Sequence, residues 1–347
     1  MAIQPRTQAL SIADYIAAAP AIFDQDFETG SLLVIYSRAG IILPSQRFGL
    51  AIEPGHVARA MHTFTAAREI DSARIVIVAQ IGAEFVAGIT LANTARDMLG
   101  LTTIRLHGRA HVSRIRRGQI WTNIDTSETG TLPDPETTTA AMARMFDGRS
   151  DLPDLDYIRS LFAPVAPIDI DAAALAEASK PDFATTTLRE LAKHVIAHME
   201  DNNYGRAMVD IVNARRTAVP LAARVAVLVR QADQDDARAA LIGLGRIDTT
   251  AATMVYTEFA NQLTGIARAH LLTAVAVLHY REGRGAYAGE ALRQADLEIT
   301  RHSLTRPAML ELMLHAYSGG LDREQASSLL TVGEHAARQF GIDVEFP

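Results

Sequence analysis

The chain contains no cysteine among its 347 residues. A disulfide framework, a cysteine-ligated zinc site, an iron–sulfur cluster and a thiol nucleophile are therefore excluded. No apolar run approaches the roughly 20 residues that a membrane-spanning helix needs. The segment from Met1 to Leu10 lacks the apolar core of a signal peptide. We therefore expect a cytoplasmic protein without a membrane segment.

Lysine and tryptophan are also scarce, because Lys180, Lys193 and Trp121 are the only residues of these two types. The net charge is −7, so the chain as a whole is no polyanion binder by bulk charge. Almost every basic residue is an arginine, which is typical of proteins from GC-rich genomes.

Residues 1–125 alternate short apolar runs with amphipathic stretches. Leu32–Tyr36 and Arg74–Ala79 are continuous apolar runs typical of strands buried on both faces. Further strands are predicted at 41–43, 102–106, 112–115 and 119–124. Ser11–Ala19 is predicted as a helix with Ser11 as its N-cap, interrupted by Pro20. Ala83–Leu99 is predicted as the helix of a parallel crossover. The pattern predicts an α/β domain over 1–125, a mixed sheet with Rossmann-like layers.

After residue 125 the apolar spacing becomes helical. Residues 126–184 are predicted as a linker with short helices and 185–347 as an all-α domain. The predicted helices of that domain are 185–202, 206–216, 220–233, 237–244, 251–263, 267–281, 286–301, 307–317 and 324–340. Gly243 and Gly245 are predicted to form a turn. The pair from Ala267 to Arg301 is interpreted either as one tetratricopeptide-like hairpin or as ordinary helix packing.

The order of several short motifs resembles the actinobacterial domain of unknown function family 4192. The matching stretches are Leu10–Pro20, Gly30–Val34, Arg117–Trp121, Asp151–Asp154 and Arg281–Ala286. The resemblance implies an actinobacterial or actinophage source, in agreement with the arginine bias. It brings no catalytic residues and no cofactor. This chain departs from the family pattern after Trp121, where relatives often carry cysteines and Thr122–Thr131 has none.

The most unusual local pattern is an alternation of arginine and histidine. In an extended strand the period of two would place all four of its residues on one face. Three further arginines follow at once, so we predict an anion-binding strip. Its members are Arg105, His107, Arg109, His111, Arg114, Arg116 and Arg117. Such a strip would bind phosphate, nucleic acid or an acidic partner, and the alternative is a solvated edge hairpin. Trp121 is the one aromatic nearby, which leaves little base stacking.

No cofactor is expected. The segment Gln80–Glu84, where the strand 74–79 meets its helix, has one glycine instead of a dinucleotide fingerprint, and no phosphate-loop lysine motif occurs. No metal site is expected either. His194 and His198 have ligand spacing, but Val195 stands where a metallopeptidase helix has glutamate.

Catalytic residues remain unassigned. Asp24, Asp26 and Glu28 are interpreted as a loop surface, with magnesium binding as the alternative. His56 and His62 flank a helix beginning at Pro54, and no serine elbow accompanies them.

We therefore predict a non-catalytic binding or assembly protein, a homo-oligomer or the partner of another protein. One alternative is an enzyme that acts on a phosphorylated or nucleic-acid substrate through the arginine and histidine strip, together with Asp24 and Asp26. The other alternative is a sequence-independent nucleic-acid binder.

Overall fold

The computed structural model describes residues 10–27, 30–146, 152–168, 170, 172–204, 208–231, 234–318 and 323–343. They form two compact units, the first ending at Leu155 and the second beginning at Asp156. A mixed sheet with helices occupies the first unit and helices occupy the second, which confirms the predicted order. Within the described ranges no helix is long and apolar enough to cross a bilayer.

Seven strands form the sheet of the first unit. They are β1 (Ser31–Arg38), β2 (Ile41–Ile42), β3 (Gln46–Gly49), β4 (Ser72–Val78), β5 (Arg105–Val112), β6 (Ile120–Asn123) and β7 (Thr129–Thr131). Their order is β2-β1-β4-β5-β6-β7, with β3 also paired to β1. The pair β4–β5 is parallel and the other pairs are antiparallel. The prediction of two separate strands at 102–106 and 112–115 is wrong, because the structure has a single strand here, β5, from Arg105 to Val112.

Within the part of the chain that the structure describes, the first unit has four helices. They are α1 (Ile12–Phe23), α2 (Pro54–Ala66), α3 (Ala83–Gly100) and α4 (Thr139–Phe146), preceded by a 3₁₀ turn at Pro135–Thr137. The second unit contains α5 (Leu155–Leu161), α6 (Ala172–Glu177), α7 (Phe183–Tyr204), α8 (Met208–Arg230), α9 (Asp235–Leu244), α10 (Thr249–Asn261), α11 (Gly265–Arg281), α12 (Gly285–Arg301), α13 (Ala308–Ser318) and α14 (Arg323–Gln339). The segment 126–184, predicted as a linker, thus contributes elements to both units.

The central strand β4 is buried on both faces, as its unbroken apolar run predicts. Ile75 and Ile77 pack in the core that also contains residues of α2 and α3. Val76 and Val78 point the other way, into a second core with Ile16 of α1. Successive side chains of a strand alternate between faces, so one apolar run supplies both cores.

Helix α1 begins as predicted and ends later than predicted. Ser11 is its N-cap and forms a reciprocal capping box with Asp14. The expectation that Pro20 interrupts the helix is wrong, since α1 continues to Phe23. Pro20 is buried with Ile16, and this packing outweighs the backbone hydrogen bond that proline cannot donate.

A second proline, Pro220, lies inside a helix of the helical unit. Residues 206–216 and 220–233 were expected to be separate helices, but α8 continues through Pro220. Pro220 is exposed, while Leu221, Val225 and Leu228 are buried in the helical core. The apolar face beyond the proline therefore keeps the chain helical.

A glycine pair sets the spacing of α9 and α14. Gly243 lies inside α9, so its predicted place in a turn is wrong. A Cβ on Gly243 would lie 2.1 Å from the carbonyl oxygen of Gly333 in α14. The two backbones are therefore in direct contact, which only glycine permits at this crossing.

A buried ion pair ties together the ends of three helices in the second unit. Arg268 of α11 and Glu298 of α12 are 1% and 3% exposed, with Nε and Oε2 3.8 Å apart. Arg268 also donates to the carbonyl oxygens of Ala260, at the end of α10, and Phe162, after α5, both at 2.6 Å. Glu298 accepts a hydrogen bond from the Gly265 N–H at 2.7 Å.

Candidate functional site

The predicted arginine and histidine strip does not lie on one face of the sheet. Arg105 pairs with Ser72 and Arg109 with Ile75, so β5 carries one more residue than β4 over this stretch. The extra residue lies next to Gly108, whose φ of 152° is in the region that favours glycine. A bulge of one residue exchanges the faces of all side chains after it. The single-face prediction is therefore wrong.

Arg109 lies on the face covered by α2 and α3, where it is 7% exposed. Its Nε donates to Asp125 at 3.0 Å, and its Nη1 donates to Asn93 of α3 at 2.5 Å. The hydrogen bond from Arg109 lowers the pKa of the Asp125 carboxyl group. The guanidinium thus joins α3 to the turn after β6.

His111 shares this face with Arg109. Its Nε2 lies 2.9 Å from the carbonyl oxygen of Ala79, at the end of β4. Its ring meets the Phe85 ring edge-on, with centroids 4.5 Å apart. Both contacts hold the imidazole against the sheet and the first turn of α3.

Arg105 and His107 lie on the α1 side of the sheet, beside Arg74. Both side chains are exposed. Partial loss of hydration beside the sheet, with the nearby charges of Arg74 and Arg105, lowers the pKa of His107. A lower pKa makes this imidazole less cationic at neutral pH, which weakens its role as an anion donor.

The last three arginines of the strip lie in the connection between β5 and β6. Arg114, Arg116 and Arg117 are all exposed. Arg117 Nη1 lies 3.9 Å from a carboxylate oxygen of Asp134. Trp121 is 6% exposed, and a Cβ on Gly130 would lie 2.8 Å from its Nε1, so its indole is covered and cannot stack on a base. Anion binding by this strip stays a prediction, and these three arginines are its most accessible part.

The acidic residues near α1 have contacts of their own. Asp24 forms an ion pair with Arg144 of α4, and the two side chains are 6% and 8% exposed. It caps α1, on the face of the sheet opposite Arg109. The Asp26 carboxylate accepts a hydrogen bond from the Phe27 N–H at 2.8 Å, and Glu28 lies outside the described residues. The alternative of an enzyme that combines these acidic residues with the strip stays a prediction.

The histidine pairs lie elsewhere. His194 and His198 are neighbours on α7, with ring centroids 4.7 Å apart, and burial lowers the pKa of His194 to about 4. His56 lies 3.9 Å from the Glu53 carboxylate at the exposed start of α2. Over the ranges that the structure describes, no three histidine or acidic side chains are grouped so that they could hold a metal ion.

An apolar surface on α4 was missed from the sequence. Met142, Met145 and Phe146 are 49%, 61% and 87% exposed. Their spacing of three and four places them along one side of the helix, while Arg144 points inward to Asp24. We call these three side chains the α4 apolar face. The spacing itself was readable, but only the structure shows that it points away from the core.

The features described so far define a class of protein: an α/β unit with a seven-stranded mixed sheet, joined to an all-helical unit. The chain belongs to the family described as "Domain of unknown function (DUF4192)", whose model matches residues 29–324. No curated protein and no solved structure matches the chain.

Proposed function

We propose that this protein is a non-catalytic binding or assembly protein that forms homo-oligomers. The α4 apolar face carries the proposal. Soluble proteins seldom expose adjacent large apolar side chains without a partner. Methionine is also common at binding surfaces because its flexible thioether adapts to the surface it meets.

The α4 apolar face is held on a fixed support. The buried ion pair between Arg144 and Asp24 fastens α4 to the end of α1. Breaking one partner of such a pair leaves an uncompensated buried charge and costs about 3–5 kcal/mol. Met145 and Phe146 directly follow Arg144 in sequence and therefore cannot turn inward without breaking this pair.

A second copy of the chain is the partner we favour. In a two-fold dimer the α4 apolar face would pack on its own copy. Each large apolar side chain contributes about 1.5–3 kcal/mol when fully buried, and six of them would meet. That total is of the same order as the entropic cost of association, about 4–15 kcal/mol. If the partner were another protein instead, an apolar surface of that protein would contact the same three side chains.

Sedimentation velocity over a range of concentrations tests the proposal. We expect the wild-type protein to form oligomers and the Phe146→Lys variant to shift toward monomer. Leu101→Lys is a matched control, because Leu101 is 85% exposed against 87% for Phe146. A wild-type protein that stays monomeric at high concentration contradicts self-assembly, and equal dissociation of the control contradicts the role of α4.

Finer features of the fold also belong to this proposal. We assign the first unit Rossmann-like layering, supported by the parallel pair β4–β5 with α3 between them in sequence. We assign α11 and α12 a tetratricopeptide-like hairpin, supported by the short connection 282–284 between them. A cytoplasmic location and an actinobacterial or actinophage source are supported by the lack of cysteine and the arginine bias.

Binding to nucleic acid or another phosphorylated ligand is the second candidate. It is favoured by one observation, the three exposed arginines Arg114, Arg116 and Arg117 in a single connection. The gel-shift experiment described in the Discussion tests it.

A further inference from the structure

We propose that the α1 side of the sheet binds the dianionic phosphate group of a small phosphate monoester between Arg74, Arg105 and His107. Arg74 lies on β4, and the other two residues lie on the neighbouring parallel strand β5. We call these three side chains the β4–β5 basic cluster. The cluster is separate from the α4 apolar face and from the exposed arginines after β5, so the proposal does not rest on self-assembly.

The register between β4 and β5 brings the three basic side chains together. Ser72 of β4 pairs with Arg105 of β5. Two residues further along β4, Arg74 lies opposite the bulge that contains His107 and Gly108. Alternate residues of a strand share a face, and neighbouring strands are about 4.8 Å apart. One phosphate group is therefore within reach of all three long side chains.

Helix α1 holds the guanidinium group of Arg74 in a fixed position. The Arg74 Cζ lies 3.6 Å from the centre of the Tyr15 ring, which is a cation–π contact. Tyr15 is buried in the core between α1 and the sheet. A donor whose orientation is already fixed loses less conformational entropy when an anion binds. Arg74 is also half-buried, and its charge therefore acts more strongly on an anion than it would in bulk water.

The positive charge of the cluster is only partly compensated. Neither Arg74 nor Arg105 forms an ion pair with any residue that the structure describes. The nearby carboxylate of Asp71 is already engaged, because it accepts hydrogen bonds from the Ala39 N–H at 2.6 Å and the Ser72 hydroxyl at 2.7 Å. Two neighbouring guanidinium groups repel each other. An anion between them would remove this repulsion and accept hydrogen bonds from both.

The charge and the size of the cluster favour a phosphate monoester over the phosphodiester backbone of a nucleic acid. A phosphate monoester carries about 1.5–2 negative charges at pH 7, which matches the two guanidinium groups, whereas a phosphodiester carries a single charge. Arginine binds such a group with two parallel hydrogen bonds. A nucleic-acid strand gains its affinity from a row of several phosphate contacts, and this cluster spans only two strands.

His107 should make the binding depend on pH. Without a ligand, partial loss of hydration and the charges of Arg74 and Arg105 lower its pKa. A bound dianion favours the protonated imidazole, so binding takes up a proton and should become tighter as the pH falls. The titratable groups on the elements around His107 are Arg74 on β4, Arg105 on β5, Asp71 before β4, and Asp14 and Tyr15 on α1.

Isothermal titration calorimetry on the full-length protein tests the proposal with three probes: glycerol phosphate as a monoester, dimethyl phosphate as a diester, and sulfate. We expect glycerol phosphate and sulfate to bind, and dimethyl phosphate to bind at least about tenfold more weakly, the loss expected for one hydrogen bond between charged groups. Sulfate keeps its double charge between pH ~5 and ~8, where histidine titrates. Its affinity should therefore rise toward pH ~5. Absence of binding by both dianions, or equal binding of the diester, overturns the proposal.

Substitutions locate the anion on the cluster. Arg105→Gln changes an exposed side chain and should weaken sulfate binding at least about tenfold without changing the thermal melt. Arg74→Gln should weaken binding similarly, and Arg74→Lys should restore part of it, because lysine keeps the charge but not the planar fork. His107→Gln should remove the pH dependence and leave binding at pH ~8 in place.

Arg114→Gln is the matched control, because Arg114 is an exposed arginine just after the same strand. Its binding of sulfate should equal that of the wild type. Unchanged binding in both Arg105→Gln and Arg74→Gln overturns the assignment. An equal loss in Arg114→Gln also overturns it, since the anion would then bind the arginines after β5 or respond only to net charge. Sulfate binding that does not vary with pH overturns the part given to His107.

Discussion

Replacing Gly243 by alanine probes a direct backbone contact between α9 and α14 in the second unit. The new Cβ would lie 2.1 Å from the carbonyl oxygen and 2.2 Å from the carbonyl carbon of Gly333. Non-bonded carbon atoms prefer about 3.5–4.0 Å, so α14 must move away from α9 by roughly 1.5 Å. The obstructing atoms belong to the backbone and cannot rotate aside as a side chain can.

The expected loss of stability follows from two opposing effects. Overpacking of a well-packed interior costs about 1–3 kcal/mol, and a backbone clash belongs at or above the upper end. Alanine in a helix gains about 0.5–1 kcal/mol over glycine. We expect a net loss of about 2 kcal/mol or more in the free energy of unfolding. For a unit of this size that lowers Tm by about 4–8 °C.

Thermal unfolding followed by circular dichroism measures this change. Gly285→Ala is the control, because a Cβ on Gly285 meets nothing within 4 Å, and its Tm should not fall. Gly333→Ala approaches the same contact from α14, with a Cβ 2.5 Å from the Gly243 nitrogen. Once the helices have separated, the second alanine should cost less stability than the first. The double variant should therefore lose less stability than the sum of the losses of the two single variants. A Gly243→Ala protein that melts like wild type would refute the reasoning.

Three further predictions concern buried charge, buried histidine and the exposed arginines. Arg268→Met should lower the free energy of unfolding by about 3 kcal/mol, because the carbonyl oxygens of Ala260 and Phe162 lose a charged donor, whereas Glu298 keeps Arg301 at 3.3 Å; urea denaturation measures this. Burial lowers the pKa of His279 to about 3. In the unfolded chain the pKa of a histidine is near 6.5. The stability that depends on neutral His279 is therefore complete above pH ~6.5 and is lost as the pH falls toward 3. His279→Leu should therefore lose less stability than wild type between pH ~7 and ~5, as measured by urea midpoints. In gel shifts with single-stranded nucleic acid, replacing Arg114 and Arg117 by alanine should abolish any salt-sensitive retardation.

The first two of these predictions have a control variant. Arg306→Met removes an exposed arginine, paired with Asp296 at 2.6 Å, and should cost no more than about 1 kcal/mol. His315→Leu removes an exposed histidine and is the surface comparison for His279→Leu. Retardation that survives the loss of Arg114 and Arg117 would place any nucleic-acid site elsewhere on the chain.

Several elements were predictable because their causes are local or strongly periodic. The apolar run of β4 predicted a strand buried on both faces, and Val76 and Ile77 indeed lie in separate cores. Ser11, a favoured N-cap residue, predicted the capped start of α1. Pro54 at the start of α2 follows from its fixed φ angle. In each case the nearest few residues determine the conformation.

Other features failed because their causes lie far away in sequence. The bulge near Gly108 depends on the register between β5 and β4, and no local signal places the extra residue. Asp125 is 16 residues from Arg109, yet it decides what that guanidinium contacts. Pro20 and Pro220 have the local signature of helix ends, but burial of neighbouring apolar residues keeps both inside helices.

By itself the sequence determined the sheet followed by helices, the central strand and most helix positions. These depend on apolar periodicity and on capping, which act over a few residues. Tertiary structure alone decided which side chains meet: the division of the arginine strip, the exposure of α4 and the contact of Gly243 with Gly333. These depend on register and close packing between distant segments, where a shift of one residue reverses a face.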